Sequence, residues 1–109
     1  MSKTLRCLAI GLPSASFAEP TVRPDEAASI PFADLARHVP LPSTLELVVA
    51  PLFCRDFDAL EIIEALGLAG YRGLLRIVTP KLPNRQIVLR ELRSHAVRQG
   101  LTLEMVEQL

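Results

Sequence analysis

The apolar positions of this chain fall into short blocks separated by proline and glycine joints, and the segment 46–83 organises the rest. A β-branched apolar run over 46–53 and a second over 74–80 predict two strands, while 54–66 is long enough for a helix and charged on one side. Two strands joined by a helical crossover are parallel, and the crossover is right-handed. In open sheets of this kind sites gather outside the carboxyl ends of the strands, which here are residues 51–55 and 79–83.

The flanking blocks extend the pattern. Residues 4–10 predict a first strand inside the sheet, ended by Gly11 and Pro13 with no acid at its end. Residues 13–42 hold six of the nine prolines, which excludes a long regular helix. A shorter one is predicted over 32–39, with Ser29 and Ile30 as the capping region and Pro31 in the first turn. Residues 21–23 suit either a brief edge strand or a loop. For the central helix Asp56 is the expected N-cap and Asp58 a first-turn acid; Phe57, Leu60, Ile63 and Leu66 share the inner face, and Asp58, Glu61 and Glu64 make the outside acidic. Gly67, Gly70 and Gly73 mark its exit. Pro83 and Asn84 open a second helix that ends near Gly100, with Val88, Leu89, Leu92 and Ala96 inward. Its outside is basic: Arg85, Arg90, Arg93, His95 and Arg98 face one acid, Glu91. Residues 101–106 alternate and predict a last strand at or near the sheet edge. The expected fold is therefore α/β, a small three-layer sandwich on a mostly parallel sheet. It forms a single domain over 1–109 with an irregular, proline-rich segment at 13–44.

Composition narrows the function. Half of the 109 residues are apolar, enough for a core without a metal or disulfide framework. Twelve basic and twelve acidic residues cancel, so no overall field favours nucleic acid or an anionic membrane, and the absence of tryptophan removes an aromatic base-stacking platform. No membrane span or secretion signal is visible, and a cytoplasmic location is the expectation. Cys7 and Cys54 lack the spacing of a zinc knuckle or redox dithiol, and His38 and His95 lack ligand spacing, so neither a metal nor a cofactor is expected.

The run Pro51-Leu52-Phe53-Cys54-Arg55-Asp56-Phe57-Asp58-Ala59-Leu60-Glu61 resembles the stretch after the third strand of response-regulator receiver domains, which reads Asp-Leu-x-Met-Pro-x-Met-Asp-Gly-Leu-Glu. Leu52, Asp58, Leu60 and Glu61 match, Cys54 and Phe57 replace methionines, and Thr79 ends the next strand where the family carries a Thr or Ser switch. The resemblance covers 44–106 and implies a flavodoxin-like fold. The departures bear on function. The family's phospho-acceptor aspartate falls on Pro51, which has no nucleophile; its metal-binding acids would follow the first strand, where Gly11, Leu12 and Pro13 stand; its lysine would end the last strand, where Met105, Val106 and Glu107 stand. Lys81 lies one loop from the same mouth, after the wrong strand for the family role. In another register residues 79–83 take the family's Lys-Pro segment, leaving the chain after Gly100 as an extension.

The degenerate site thus comprises Pro51, Asp58, Thr79 and Lys81. The resemblance implies a signalling or regulatory module that is not phosphorylated, is not an enzyme and acts through protein–protein interaction. The basic surface of 84–99, with Arg85, Arg90, Arg93, His95 and Arg98, is the candidate contact with another protein or with a second copy in a homodimer. The competing reading is a small α/β ligand-binding domain or enzyme using Cys54, Thr79 and Lys81. In it Cys54, at a strand-to-helix turn, has a lowered thiol pKa. Plainer readings stand beside these: Cys7 is core, Asp56 and Asp58 cap a helix, Thr79 ends a strand, and the arginines are a solvated face.

Overall fold

In the computed structural model, which describes residues 5–12, 27–38, 41–52 and 57–107, the first apolar block forms β1 (Cys7–Ile10), buried at every position. There follow β2 (Ala27–Ile30), a 3-10 segment (Phe32–His38), β3 (Leu47–Pro51), α1 (Ala59–Leu68), β4 (Leu74–Thr79), α2 (Arg85–Gln99) and β5 (Thr102–Glu107). The strands make one sheet in the order β2-β1-β3-β4-β5, every neighbouring pair parallel. That order is the flavodoxin-like one.

Strand order and crossover handedness together place the helices. From β2 past β1 to β3, then to β4 and β5, the chain steps one way across the sheet, so right-handed connections bring the 3-10 segment, α1 and α2 to one face. The core agrees: Leu8, Ile10, Val48, Ala50, Leu75, Ile77, Leu103 and Met105 pack with Leu35, Ile62, Ile63, Leu66, Leu89, Leu92 and Ala96. Burying each of the larger aliphatic side chains contributes about 1.5–3 kcal/mol. The alternate residues Cys7, Ala9, Leu47 and Val49 form a second buried cluster on the opposite face. Further along that face the apolar contacts give way to an ion pair between register partners Arg76 and Glu104. The arrangement is the expected α/β sandwich, consistent with three layers, and its sheet is wholly parallel.

Several boundaries differ from expectation for physical reasons. Residues 21–23 lie outside the described residues, and the second strand is β2, so Ser29 and Ile30 are strand residues and not a cap. The Ser29 hydroxyl donates to the Leu12 carbonyl. The helix after Pro31 is 3-10: the Asp34 amide donates to Pro31 O at 3.0 Å, the i to i+3 bond typical of short helical pieces. Asp58, not Asp56, caps α1; its backbone is extended (φ −130°) and Oδ1 accepts from Glu61 N at 3.0 Å. Asp56 lies outside the described residues, and Phe57 precedes the helix instead of sharing its inner face. Asn84 occupies the N-cap position of α2 with no side-chain capping bond, and Gly100 ends that helix in the left-handed region at φ 80°. Because β5 pairs with β4 along its whole length, the register that made residues after Gly100 an extension is excluded. No helix among the described residues is long and apolar enough to cross a membrane.

Candidate functional site

The carboxyl ends of β3 and β4 and the start of α1 meet at one end of the sheet, and with them Pro51, Asp58, Thr79 and Lys81. Pro51 pairs with Val78 and Thr79 with Glu107, so Pro51 and Thr79 end neighbouring strands. Leu52 fixes the turn into the helix: its amide donates to Val78 O at 2.9 Å and its carbonyl accepts from Ala59 N at 2.8 Å. Asp58 is exposed, with one oxygen on the Glu61 amide. Lys81 is exposed beyond β4. Thr79 is 0 % exposed and its hydroxyl donates to Pro80 O at 2.9 Å, so the side chain is turned into the protein. Cys54 lies outside the described residues, whereas Cys7 is a buried core residue.

In this fold the ligand crevice opens where adjacent strands send their connections opposite ways, here between β1 and β3. Among the described residues an aromatic side chain lies across its mouth. Gly11, just past β1, has φ +71°, and a Cβ built there would lie 2.6 Å from Cζ of Phe57. Phe57 is buried, and its ring stacks on Phe32 with centroids 4.9 Å apart. Glycine is needed at 11 for its backbone conformation and because the ring occupies the space of a side chain. Beside the plug a hollow of about 300 Å³ is lined by Leu52, Asp58, Ala59, Leu60 and Leu92. The one charged group among its described walls is the helix cap. Among the described residues no group of three or more His, Cys, Asp and Glu side chains could hold a metal ion.

A second hollow, of about 370 Å³, lies between the 3-10 segment and α1, with Phe32, Leu35, Ala36, Ala65 and Leu68 among its walls. Its described walls carry apolar side chains. At the amino end of the strands the Tyr71 hydroxyl donates to Leu74 O at 2.6 Å. Burial, reinforced by the negative charge of Cys7 and Glu46 when ionised, pushes the Tyr71 pKa well above the ordinary phenol range. The Arg72 guanidinium donates to Tyr71 O at 2.9 Å and Gly67 O at 3.4 Å, covering carbonyls at the end of α1.

The basic residues of α2 do not form one strip. The Thr102 amide donates to Gly73 O, so Thr102, Glu104 and Val106 turn their peptide groups to β4 while Leu103 and Met105 turn theirs to the open edge. Those edge carbonyls meet arginines. Arg85 Nη2 donates to Met105 O at 2.6 Å, with Nη1 3.4 Å from Glu107 Oε1, and Arg93 Nε donates to Leu103 O at 3.4 Å. Arg90 and Arg98 remain exposed and His95 is half-buried. Sequence reasoning treated the five as equivalent; the signal it lacked was that an edge strand lies beside this helix and its carbonyls need donors.

No protein-family model, curated protein or solved structure matches the chain, so fold and site rest on its own residues.

Proposed function

We propose that the chain is a non-catalytic, receiver-like signalling or regulatory module that accepts no phosphoryl group and acts by binding protein. The observation that carries this reading is the closed strand end: Phe57 fills the β1–β3 crevice over Gly11. Beside it Pro51 stands where the resemblance puts the acceptor. Phosphoryl acceptance needs a carboxylate with room for in-line attack and further carboxylates on a hard cation. A proline supplies neither. Against the competing enzyme reading, Thr79 is buried and its hydroxyl is engaged with the neighbouring Pro80 carbonyl.

Among the described residues, the surface that combines charge with exposed aliphatic side chains is the outer face of α1 and α2. The balanced overall charge favours a protein over a nucleic acid as its partner. The test is treatment with a small-molecule phosphodonor and magnesium followed by intact mass. The expected result is an unchanged mass; a stable adduct mapped to an aspartate would sink the reading.

A further inference from the structure

We propose that this chain pairs with a second copy of itself along the outer edge of β2, antiparallel about a twofold axis perpendicular to the sheet, so that one sheet runs through both copies. The contact goes beyond the protein-binding reading and does not rest on it. The two edges of the sheet are provided for differently. Along β5 the outward carbonyls of Met105 and Leu103 meet Arg85 and Arg93. β2 has no such cover among the described residues. The Gly11 amide donates to Ile30 O at 2.9 Å, so the peptide groups of Ala28 and Ile30 face β1, and those of Ala27 and Ser29, alternating with them, face outwards. Among the described residues neither outward peptide has a hydrogen-bond partner. The strand Ala27–Ile30 carries no charge; Ser29 is exposed, and its hydroxyl is turned back onto the Leu12 carbonyl. An uncharged edge with unpaired peptides is a template for a further strand.

The axis reverses the second copy within the plane of the sheet and keeps its helix layer on the same side. Centred on Ala28, it sets Ala27 against the partner's Ser29 in a pair that exchanges both N–H···O bonds, and repeats that pair on the other side. Ala28 then meets itself in the close, non-hydrogen-bonded position, where a methyl group fits. Centred on Ser29, the axis would set Ala27 against Pro31, which has no N–H; centred on Ala27, no second pair falls within the strand. What selects a second copy over a foreign strand is the 3-10 segment. Its Phe32 and Leu35 pack on the core and its Ala33 and Ala36 wall the hollow beside α1, so on a three-residue turn Asp34 and Arg37 take the remaining side, towards β2. From Ile30 the strand lies below by about 3.3 Å per residue and the segment descends by about 2 Å per residue, which brings the midpoint of Asp34 and Arg37 to the height of Ala28. The two residues therefore straddle the axis, and reversal sets each against the other in the partner. The segment lies over β1, the strand it crosses, so the two segments stand about three strand spacings, about 14 Å, apart, a gap that an arginine and an aspartate side chain bridge together. Within its own chain Arg37 is 3.9 Å from Asp34 Oδ1, with its side chain 81 % exposed. The outer faces of α1 and α2 stay uncovered in this pair and point the same way in both copies.

Sedimentation equilibrium from about 10 to about 500 µM brackets a dissociation constant on the order of 100 µM, the strength of a contact below the standard interface size. Amide hydrogen exchange locates the contact without any substitution. Between the ends of that range exchange at Ala27 and Ser29 should slow about two- to threefold by mass action, with Leu103 and Met105 on the opposite edge unchanged. Ser29→Pro removes an outward N–H and leaves the bonds to β1, which come from Ala28 and Ile30; circular dichroism should hold while association weakens tenfold or more. Arg37→Glu and Asp34→Arg each set like charges across the axis and should weaken association about three- to tenfold, whereas an equimolar mixture of the two restores both attractions and returns it to within a few-fold of wild type. A chain that stays monomeric over the whole range overturns the proposal. So does a dimer in which exchange at Ala27 and Ser29 ignores concentration, one that forms equally well with folded Ser29→Pro, or a loss that the mixture fails to repair. None of these outcomes alters the phosphodonor result.

Discussion

Whether the strand-end crevice is closed can be measured as a coupling energy between Gly11 and Phe57. At φ +71° an alanine at position 11 bears the left-handed backbone cost of about 1–2 kcal/mol. Its Cβ would also lie 2.6 Å from Phe57 Cζ and 3.1 Å from Cε1, so the ring must leave its packed position against Phe32. Overpacking of that kind costs about 1–3 kcal/mol, which brings Gly11→Ala to about 2–5 kcal/mol in the wild type. Phe57→Leu removes the far edge of the ring at about 1–2 kcal/mol. In that background Gly11→Ala should cost only its backbone component, leaving the double variant less destabilised than the sum of the singles by about 1–3 kcal/mol. Urea unfolding of the four proteins by far-ultraviolet circular dichroism gives the energies, provided the m-values agree. A domain of this size has about 5–15 kcal/mol to lose, so the double variant should still fold. Additivity within about 0.5 kcal/mol would refute the reasoning: the ring would not lie over Gly11, the crevice would be open, and a ligand site there would again have to be considered.

Two further predictions come from other parts of the molecule. Tyr71 is the sole tyrosine of a chain without tryptophan, so phenolate absorbance reports on this side chain alone. Its folded pKa is raised, so below about pH 10 both states hold the proton, and above it the unfolded chain releases the proton first and stability falls. The phenolate band should therefore rise only as the ellipticity is lost, and Tyr71→Phe should flatten the decline; a phenolate band in a chain with native circular dichroism would contradict the burial argument. Replacing Arg85 and Arg93 together by alanine strips the donors from Leu103 O and Met105 O, and light scattering on mild heating should grow several-fold faster than for the Arg90 and Arg98 pair changed likewise. Equal rates would show that the edge needs no such cover.

Elements with local punctuation were legible in the sequence. β4 runs over Leu74–Thr79 between Gly73 and Pro80, and α2 lies between Asn84 and Gly100, because glycine and proline restrict their own backbones whatever the rest of the chain does. Features that depend on distant partners were not. β2 is four residues of Ala and Ser with a single Ile, too short and too polar to announce itself, and it exists through pairing with β1. The sequence favoured Asp56 as the cap with Asp58 in the first turn; the cap is Asp58 because the Leu52 carbonyl accepts from Ala59 and sets where the helix begins. The candidate site was half legible. That Pro51 cannot accept a phosphoryl group follows from the residue type alone. That Phe57 lies over Gly11, and that two arginines donate to the sheet edge, follows only from contacts across the fold.

The unequal covering of the two sheet faces sets how freely each strand can change over generations. β1 and the Leu47–Ala50 part of β3 are buried on both sides, so no position along them can take a polar residue without leaving an unpaired group in the core. β4 and β5 are fully buried on the helix side, where Leu75, Ile77, Leu103 and Met105 sit; on the other side, among the described residues, Leu74, Arg76 and Val78 are half-buried, Glu104 half-buried, and Thr102 and Val106 exposed. The outward positions of β5 are thus more open to drift in sequence than the inner pair of strands.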